Sequence, residues 1–351
     1  MAKLSIHTQK LDNCINWLKT FPNNAKPTYI HTIDPSRWAV EECNTLDINV
    51  IVRHSYKYDF NSDLARDDWL SGKSAYQAAS EFIYECQRSE WYPGCWGIVT
   101  PPAMAVPGHQ HLEWAKEFME SCVVLARQDG KECIVANVPT GNNGFAVDGA
   151  RYYGCQEYGS PDLLSQAPYH ALRYREWYLA IPNAQGLFLL ECGVTNAVAG
   201  GPDEGYLYHS QTPDYYWEHS LLAYHNELLK DNYVKCAFIF QRSGFKDAES
   251  DPNLGQRGWD AFEIENTIID QKLVNLYAEG EEGNMGYIEQ YPDLYNAWVN
   301  AGGVENNFKT FVIGQKAARG EHITDEEVEA VVERAHSGIN ELRLIGLRPL
   351  V

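Results

Sequence analysis

The stretch HLEWAKEFMESCVVLARQDGKECIVANV, residues 111–138, holds the fold in miniature. Its first part sets apolar side chains at 112, 115, 118, 119 and 122, the spacing of one helical face. It stops at Gly130, a residue suited to the left-handed turn that ends a helix. ECIVANV (132–138) then runs almost unbroken in apolar residues, as a parallel strand buried on both faces does. Four runs of the same kind precede it: KLSIHT (3–8), TYIHTI (28–33), NVIVRHS (49–55) and CWGIVT (95–100). Three more follow, YYGCQEY (152–158), LFLLECGV (187–194) and VKCAFIF (234–240).

Amphipathic helical sequence lies between most of them. LDNCINWLKTF (11–21) brings Leu11, Ile15, Trp17 and Leu18 towards one face, WEHSLLAYHNELLKDN (217–232) behaves alike, and GWDAFEIENTIIDQKLVNLY (258–277) follows the last strand as a closing helix. Only the link 139–151 is too short for a full helix. Strand–helix alternation repeated in this way predicts an α/β fold of the (β/α)8 TIM-barrel type. A doubly wound dinucleotide-binding sheet is disfavoured, because no GxGxxG follows an early strand. The expected domains are a barrel over 1–275 and a C-terminal helical extension over 276–351. In the extension, residues 323–347 start with Thr324 and Glu327 in capping-box spacing and carry an apolar stripe at 328, 331, 332, 335, 339 and 342. That stripe needs a surface, either the barrel or a protein partner.

Composition narrows the function. Forty-eight acidic against 28 basic residues give a net charge of −20, which repels nucleic acid and anionic membrane surfaces. The nine cysteines are scattered without a CxxC, so neither a zinc ribbon nor a redox pair is indicated. Reduced thiols, no signal-like start and no apolar run near the ~20 residues of a membrane span lead to the expectation of a soluble cytoplasmic protein. The pair His109/His111 sits in a Pro-Gly loop rather than on a strand; no metal and no cofactor are expected.

In a barrel of this kind, chemistry sits at the C-terminal ends of the strands. The polar residues there are His7, Asp34, His54, Asn137, Gln156, Glu157, Glu191 and Gln241. Glu191 ends four apolar residues, and a carboxylate in that place is either catalytic or the partner of an arginine such as Arg53 or Arg173. Trp96 and Tyr158 are aromatic candidates for stacking on a ligand.

The pieces YYGCQEYGSP (152–161) and LRYREWYLAIPNAQGLFLLECGVT (172–195), with SIHTQ (5–9) and VANVPTGN (135–142), resemble glycoside hydrolases of the retaining (β/α)8 class. More narrowly, they are similar to a glycosidase-like barrel group of bacteria and phages, over roughly residues 3–265. The resemblance implies a polysaccharide ligand, cell-wall glycan among the candidates, and Glu191 as nucleophile. It also admits release from the cell or association with a virion. One departure matters. The class carries its acid/base in an Asn-Glu-Pro element ending strand four, where this chain has Thr100 and Pro101. Glu157, on the strand next to that of Glu191, is the nearest substitute, since retaining hydrolysis needs two carboxylates about 5–5.5 Å apart. Asp34 across the barrel and Glu113 or Glu117 in the helix after strand four are further candidates. Asp34, His54, Asn137, Gln156, Tyr158, Gln241 and Trp96 are then expected to bind substrate. The alternative is a barrel without turnover, serving as a glycan-binding or structural module of a larger assembly such as a phage particle.

Overall fold

A computed structural model describes residues 2–22, 25–55, 68–69, 71–101, 111–201, 205–209, 211–242 and 262–278. Eight parallel strands close into a barrel in sequence order. They are β1 (Leu4–Thr8), β2 (Tyr29–Ile33), β3 (Asn49–Arg53), β4 (Gly97–Val99), β5 (Glu132–Val138), β6 (Tyr152–Gly159), β7 (Gly186–Val194) and β8 (Val234–Ile239). Each coincides with an apolar run of the sequence. Ala2–Asn275 make one compact unit and Leu276–Val351 fall in a second, of which all but the first three residues, including 323–347, lie outside the described residues.

The helices are less regular than the strands. α1 (Leu11–Leu18) buries Leu11, Cys14, Ile15 and Leu18 and ends before the run 11–21 does. α2 (Arg37–Thr45) begins at Ser36, whose side chain accepts from the Ala39 backbone, and α3 (Ala75–Arg88) begins at a full capping box of Ser74 and Gln77. α4 (Leu112–Gln128) matches its sequence signal, and Gly130 takes the expected positive φ, +70°. No helix forms over 139–151, and after β6 the chain makes only the short α5 (Tyr174–Trp177) and a 3-10 turn, Tyr178–Ala180. The helix expected from 217 starts earlier, as α6 (Pro213–Tyr216). Thr212 caps it and Pro213 supplies the fixed φ of a first helical residue. A π-helical turn, Trp217–Leu221, joins it to α7 (Leu222–Leu228). Of the closing helix, residues 268–275 are described and helical.

The barrel interior is filled by Ile51, Val99, Ile134, Phe188, Leu190, Cys236 and Phe238. Beneath them Tyr29, Trp96 and Tyr152, from the N-terminal ends of β2, β4 and β6, meet Phe188 with ring centroids 5.0–5.9 Å apart. This is the layering of alternate strands that makes such a barrel a packed core rather than a pore. All nine cysteines are buried thiols, and no described helix is long and apolar enough to cross a membrane.

Two bulges decide which side chains look inward. Phe188 faces the core and pairs with Gly154, where a Cβ would lie 2.5 Å from Leu190 Cδ1, so Gly154 also faces in. By alternation Gln156 and Tyr158 then face in, while Cys155 and Glu157 face out. Leu189 pairs with Cys155 but Glu191 pairs with Gln156, so Leu190 is an extra residue. The shift turns Glu191 into the barrel, where strict alternation from Phe188 would turn it out. In β5 the register slips between Val135 and Val138 around Ala136, which has a φ of +50°. Val138 pairs with outward-facing Cys155, which leaves Asn137 facing in.

Candidate functional site

Arg53 ends β3, and β7 lies four strands away on the opposite wall. Arg53 Nη1 donates across the barrel to Glu191 Oε1 at 3.1 Å, and Tyr158 donates its hydroxyl to Glu191 Oε2, also at 3.1 Å. The Arg53 and Glu191 side chains are only 8% and 12% exposed. A carboxylate so buried is tolerable because a guanidinium matches its charge and hydrogen bonds occupy its oxygens. The ion-pair reading of Glu191 with Arg53 is therefore met. It does not conflict with a chemical role, because the same contacts fix the carboxylate's direction.

Beside this pair stand two histidines. His7 Nδ1 is 2.8 Å from His31 Nδ1, which is 2.8 Å from the carbonyl oxygen of Leu190. Leu190 is the bulge residue, and His31 satisfies a carbonyl that the bulge withdraws from the strand ladder. Both imidazoles are fully buried. Burial, reinforced by neighbouring His31 and Arg53, holds His7 well below the usual histidine range. Burial takes His31 down to about 3, with the Leu190 carbonyl opposing and Arg53 assisting. His7 packs on Phe240 with centroids 5.2 Å apart, and Phe240, Phe262 and Tyr158 form an aromatic wall at 5.3–6.4 Å.

Asn137 and Gln241 lie at the same end of the barrel, 1% and 0% exposed. Neither the oxygen nor the nitrogen of either side-chain amide has a hydrogen-bond partner. Gln156 faces in beside Glu191. Asp34 and His54 end their strands as expected and are joined to each other, Asp34 Oδ1 lying 2.6 Å from His54 Nδ1. Asp34 also accepts from the Trp91 indole at 3.2 Å and from the backbone and hydroxyl of Ser55. Burial pushes the Asp34 carboxyl up, but the hydrogen bonds from His54 and Ser55 outweigh it and hold the group below its ordinary value.

Two expected placements fail. Glu157 is not brought to Glu191. It pairs with Cys192 on the outward side of β6, where Tyr224 of α7 donates at 2.5 Å and the Leu172 amide at 2.9 Å. Burial raises its carboxyl to about 7 against the hydrogen bonds from Tyr224 and the 172–174 amides. The reason is the two-residue period of a strand: Tyr158 faces in, so its neighbour faces out. Trp96 precedes β4 and belongs to the aromatic layer at the N-terminal end, away from the mouth. At the C-terminal end of β4, Thr100 is buried and gives its hydroxyl to the Ile134 carbonyl at 3.3 Å.

His31 has no strand-end signal, because it sits in mid-run between Ile30 and Thr32; its offset of two from Tyr29, an inward residue, is the sequence feature that marks it. Among the described residues no group of three His, Cys, Asp or Glu could hold a metal ion. His109 lies outside the described residues, and His111 packs its ring 5.9 Å from Trp69.

No family model matches the sequence, and no curated protein does. Solved structures are similar at low identity. The endo-1,4-beta-D-mannanase of Thermotoga petrophila RKU-1 shares 9% of residues at a TM-score of 0.47, over 79% of this chain and 99% of that one. A GH113 beta-1,4-mannanase gives the same figures. A xylose isomerase domain protein of Planctomyces limnophilus shares 12% at a TM-score of 0.34, over 73% of this chain and 96% of that one.

Proposed function

We propose that this chain is a glycoside-hydrolase-like protein that binds a polysaccharide in the mouth of its barrel, with Glu191 as the nucleophile facing the sugar. The supporting observation is the bulge at Leu190, which turns Glu191 inward between Arg53 and Tyr158. In a retaining reaction the carboxylate oxygen would bond to the anomeric carbon as the glycosidic C–O bond breaks, and water would later release the sugar. The departing oxygen needs a proton from an acid. Tyr158 and Arg53 would hold the attacking oxygens in line, and Tyr158, the least buried ring of the aromatic wall, would offer an apolar face to the C–H side of a sugar ring.

A second reading is favoured by a specific pair of observations: Thr100 stands at the end of β4, and Glu157 faces away from the mouth. On that reading the barrel binds glycan without turnover, as a module of a larger assembly. Reducing-end release from a polysaccharide panel that includes peptidoglycan separates the two. Release by the wild type that Glu191→Gln loses is expected for the first. Binding without release by either protein, both verified as folded, would leave the second standing.

A further inference from the structure

We infer that the ligand of this mouth is electrically neutral: a hydroxyl-rich sugar bearing no carboxylate, sulfate or amine. The inference rests on the glycan reading above and names the class of glycan.

The ground for it is an inventory of buried polar atoms. His7, Asn137 and Gln241 stand at or just past the C-terminal ends of β1, β5 and β8 and His31 midway along β2, each at most 1% exposed. Nε2 of each histidine, and the oxygen and nitrogen of each amide, are buried with no hydrogen-bond partner. Buried polar atoms in native proteins are nearly always paired, so orphans on four strands of one barrel mark places for ordered water or ligand.

The chemistry of the missing partner follows from proton positions. The Leu190 carbonyl can only accept, so His31 Nδ1 carries a proton and donates to it. His7 Nδ1, 2.8 Å from that protonated nitrogen, shares the same proton in a three-centre bond and is its second acceptor. His31 Nε2 is left as a bare lone pair and His7 Nε2 as an N–H donor. With the two amides, the cluster offers three kinds of acceptor (His31 Nε2, Asn137 Oδ1, Gln241 Oε1) and three of donor (His7 Nε2, Asn137 Nδ2, Gln241 Nε2). A hydroxyl group both donates and accepts and satisfies such a set. A carboxylate or sulfate only accepts and an ammonium only donates, so where one of them takes the place of a hydroxyl the donors or acceptors it faces stay unmatched.

Charge gives the same answer. The inward-facing charges named above, Arg53 and Glu191, neutralise each other. Burial keeps both imidazoles uncharged at neutral pH. Among the described residues that face inward, a ligand charge would meet no counter-charge beyond this matched pair and would give up its hydration. The net charge of −20 further opposes the approach of a polyanion.

The test is calorimetric titration of the full chain with neutral oligosaccharides (manno-, gluco- and xylo-hexaoses), with oligogalacturonate and with chitosan oligomers. Binding of a neutral set at least tenfold tighter than both charged sets is expected. Equal or tighter binding of a charged set would overturn the inference while leaving the glycan reading intact; no binding by any set would overturn both. Asn137→Ala, checked for folding by circular dichroism, is expected to weaken neutral binding by tenfold or more. Gln241→Ala serves the same purpose if the first variant does not fold. Unchanged affinity in a folded variant would remove that amide from the site and overturn the matching on which the inference stands.

Discussion

Arg53 and Glu191 reach each other from opposite walls of the barrel, and neither is well placed without the other. Replacing Arg53 by Met leaves a buried carboxylate without its guanidinium, and a loss of about 3 kcal/mol is expected from breaking one side of such a pair. Adding Glu191→Leu in the same chain should recover part of that loss, because the remaining charge is gone too. Urea denaturation of the four proteins of this double-mutant cycle would measure the coupling, expected at about 1–3 kcal/mol. Additive losses would mean that the ion pair contributes nothing beyond its separate parts. At the same scale, Glu191→Gln keeps the size and much of the hydrogen bonding of the side chain. It should therefore affect sugar chemistry far more than thermal stability.

At the scale of the element, the two bulges in β5 and β7 matter more than any helix. Ala136 holds a φ of +50° to bring Asn137 inward, a conformation that costs an alanine about 1 kcal/mol relative to glycine. Ala136→Gly is expected to raise stability by about 0.5–1 kcal/mol, and Ala136→Val to lower it by more, since a β-branched side chain is poorly tolerated there. Chemical denaturation of both variants checks the pair, and two losses would show that packing of the buried methyl outweighs the backbone. These bulges also explain what the sequence could and could not tell. The strands were legible because parallel strands buried on both faces leave continuous apolar runs. Glu191 could be picked out as a polar residue closing such a run. Its side of the strand could not be read, since the inserted Leu190 changes the parity without altering composition. Glu157 looked like a neighbour of Glu191 for the same reason. Trp96 opens its run rather than closing it, and in a parallel strand that puts it at the end of the barrel opposite the mouth. The caps of α2 and α3 and the early start of α6 were written in Ser36, Ser74, Gln77, Thr212 and Pro213. The shrinkage of the helix after β6 to one α-helical turn has no comparable local signal.

For the molecule as a whole, buried titratable groups predict how stability follows pH. His31 and His225 are held by burial at about 3 and about 4, and His7 lies well below its ordinary value. The unfolded chain takes up these protons near pH 6.5, and the native protein does so only at much lower pH. Their contribution to stability is therefore complete above about 6.5 and is lost as pH falls. Glu157 acts in the other direction. Its native carboxyl holds a proton up to about 7 while the unfolded one loses it near 4.5, so that contribution is complete below 4.5 and disappears as pH rises through 7. Three histidines against one glutamate leave a net fall of about 2–3 kcal/mol per unit as pH drops from 6.5 towards 4.5. Glu157→Gln removes the opposing group and should steepen that fall. Measured against the wild type, it should gain about 2–3 kcal/mol between pH 4.5 and 8 in urea melts. A difference that does not change with pH would mean that Glu157 titrates alike in both states. The nine buried thiols carry a consequence of another kind. Burial lifts several of them well above the ordinary thiol range, Cys122, Cys155 and Cys192 among them, so in the folded barrel they are neither exposed nor ionised. All of them belong to the unit Ala2–Asn275. The rate at which an aromatic disulfide reagent colours a solution of this protein is therefore a clock for the opening of the barrel, element by element, with no label added.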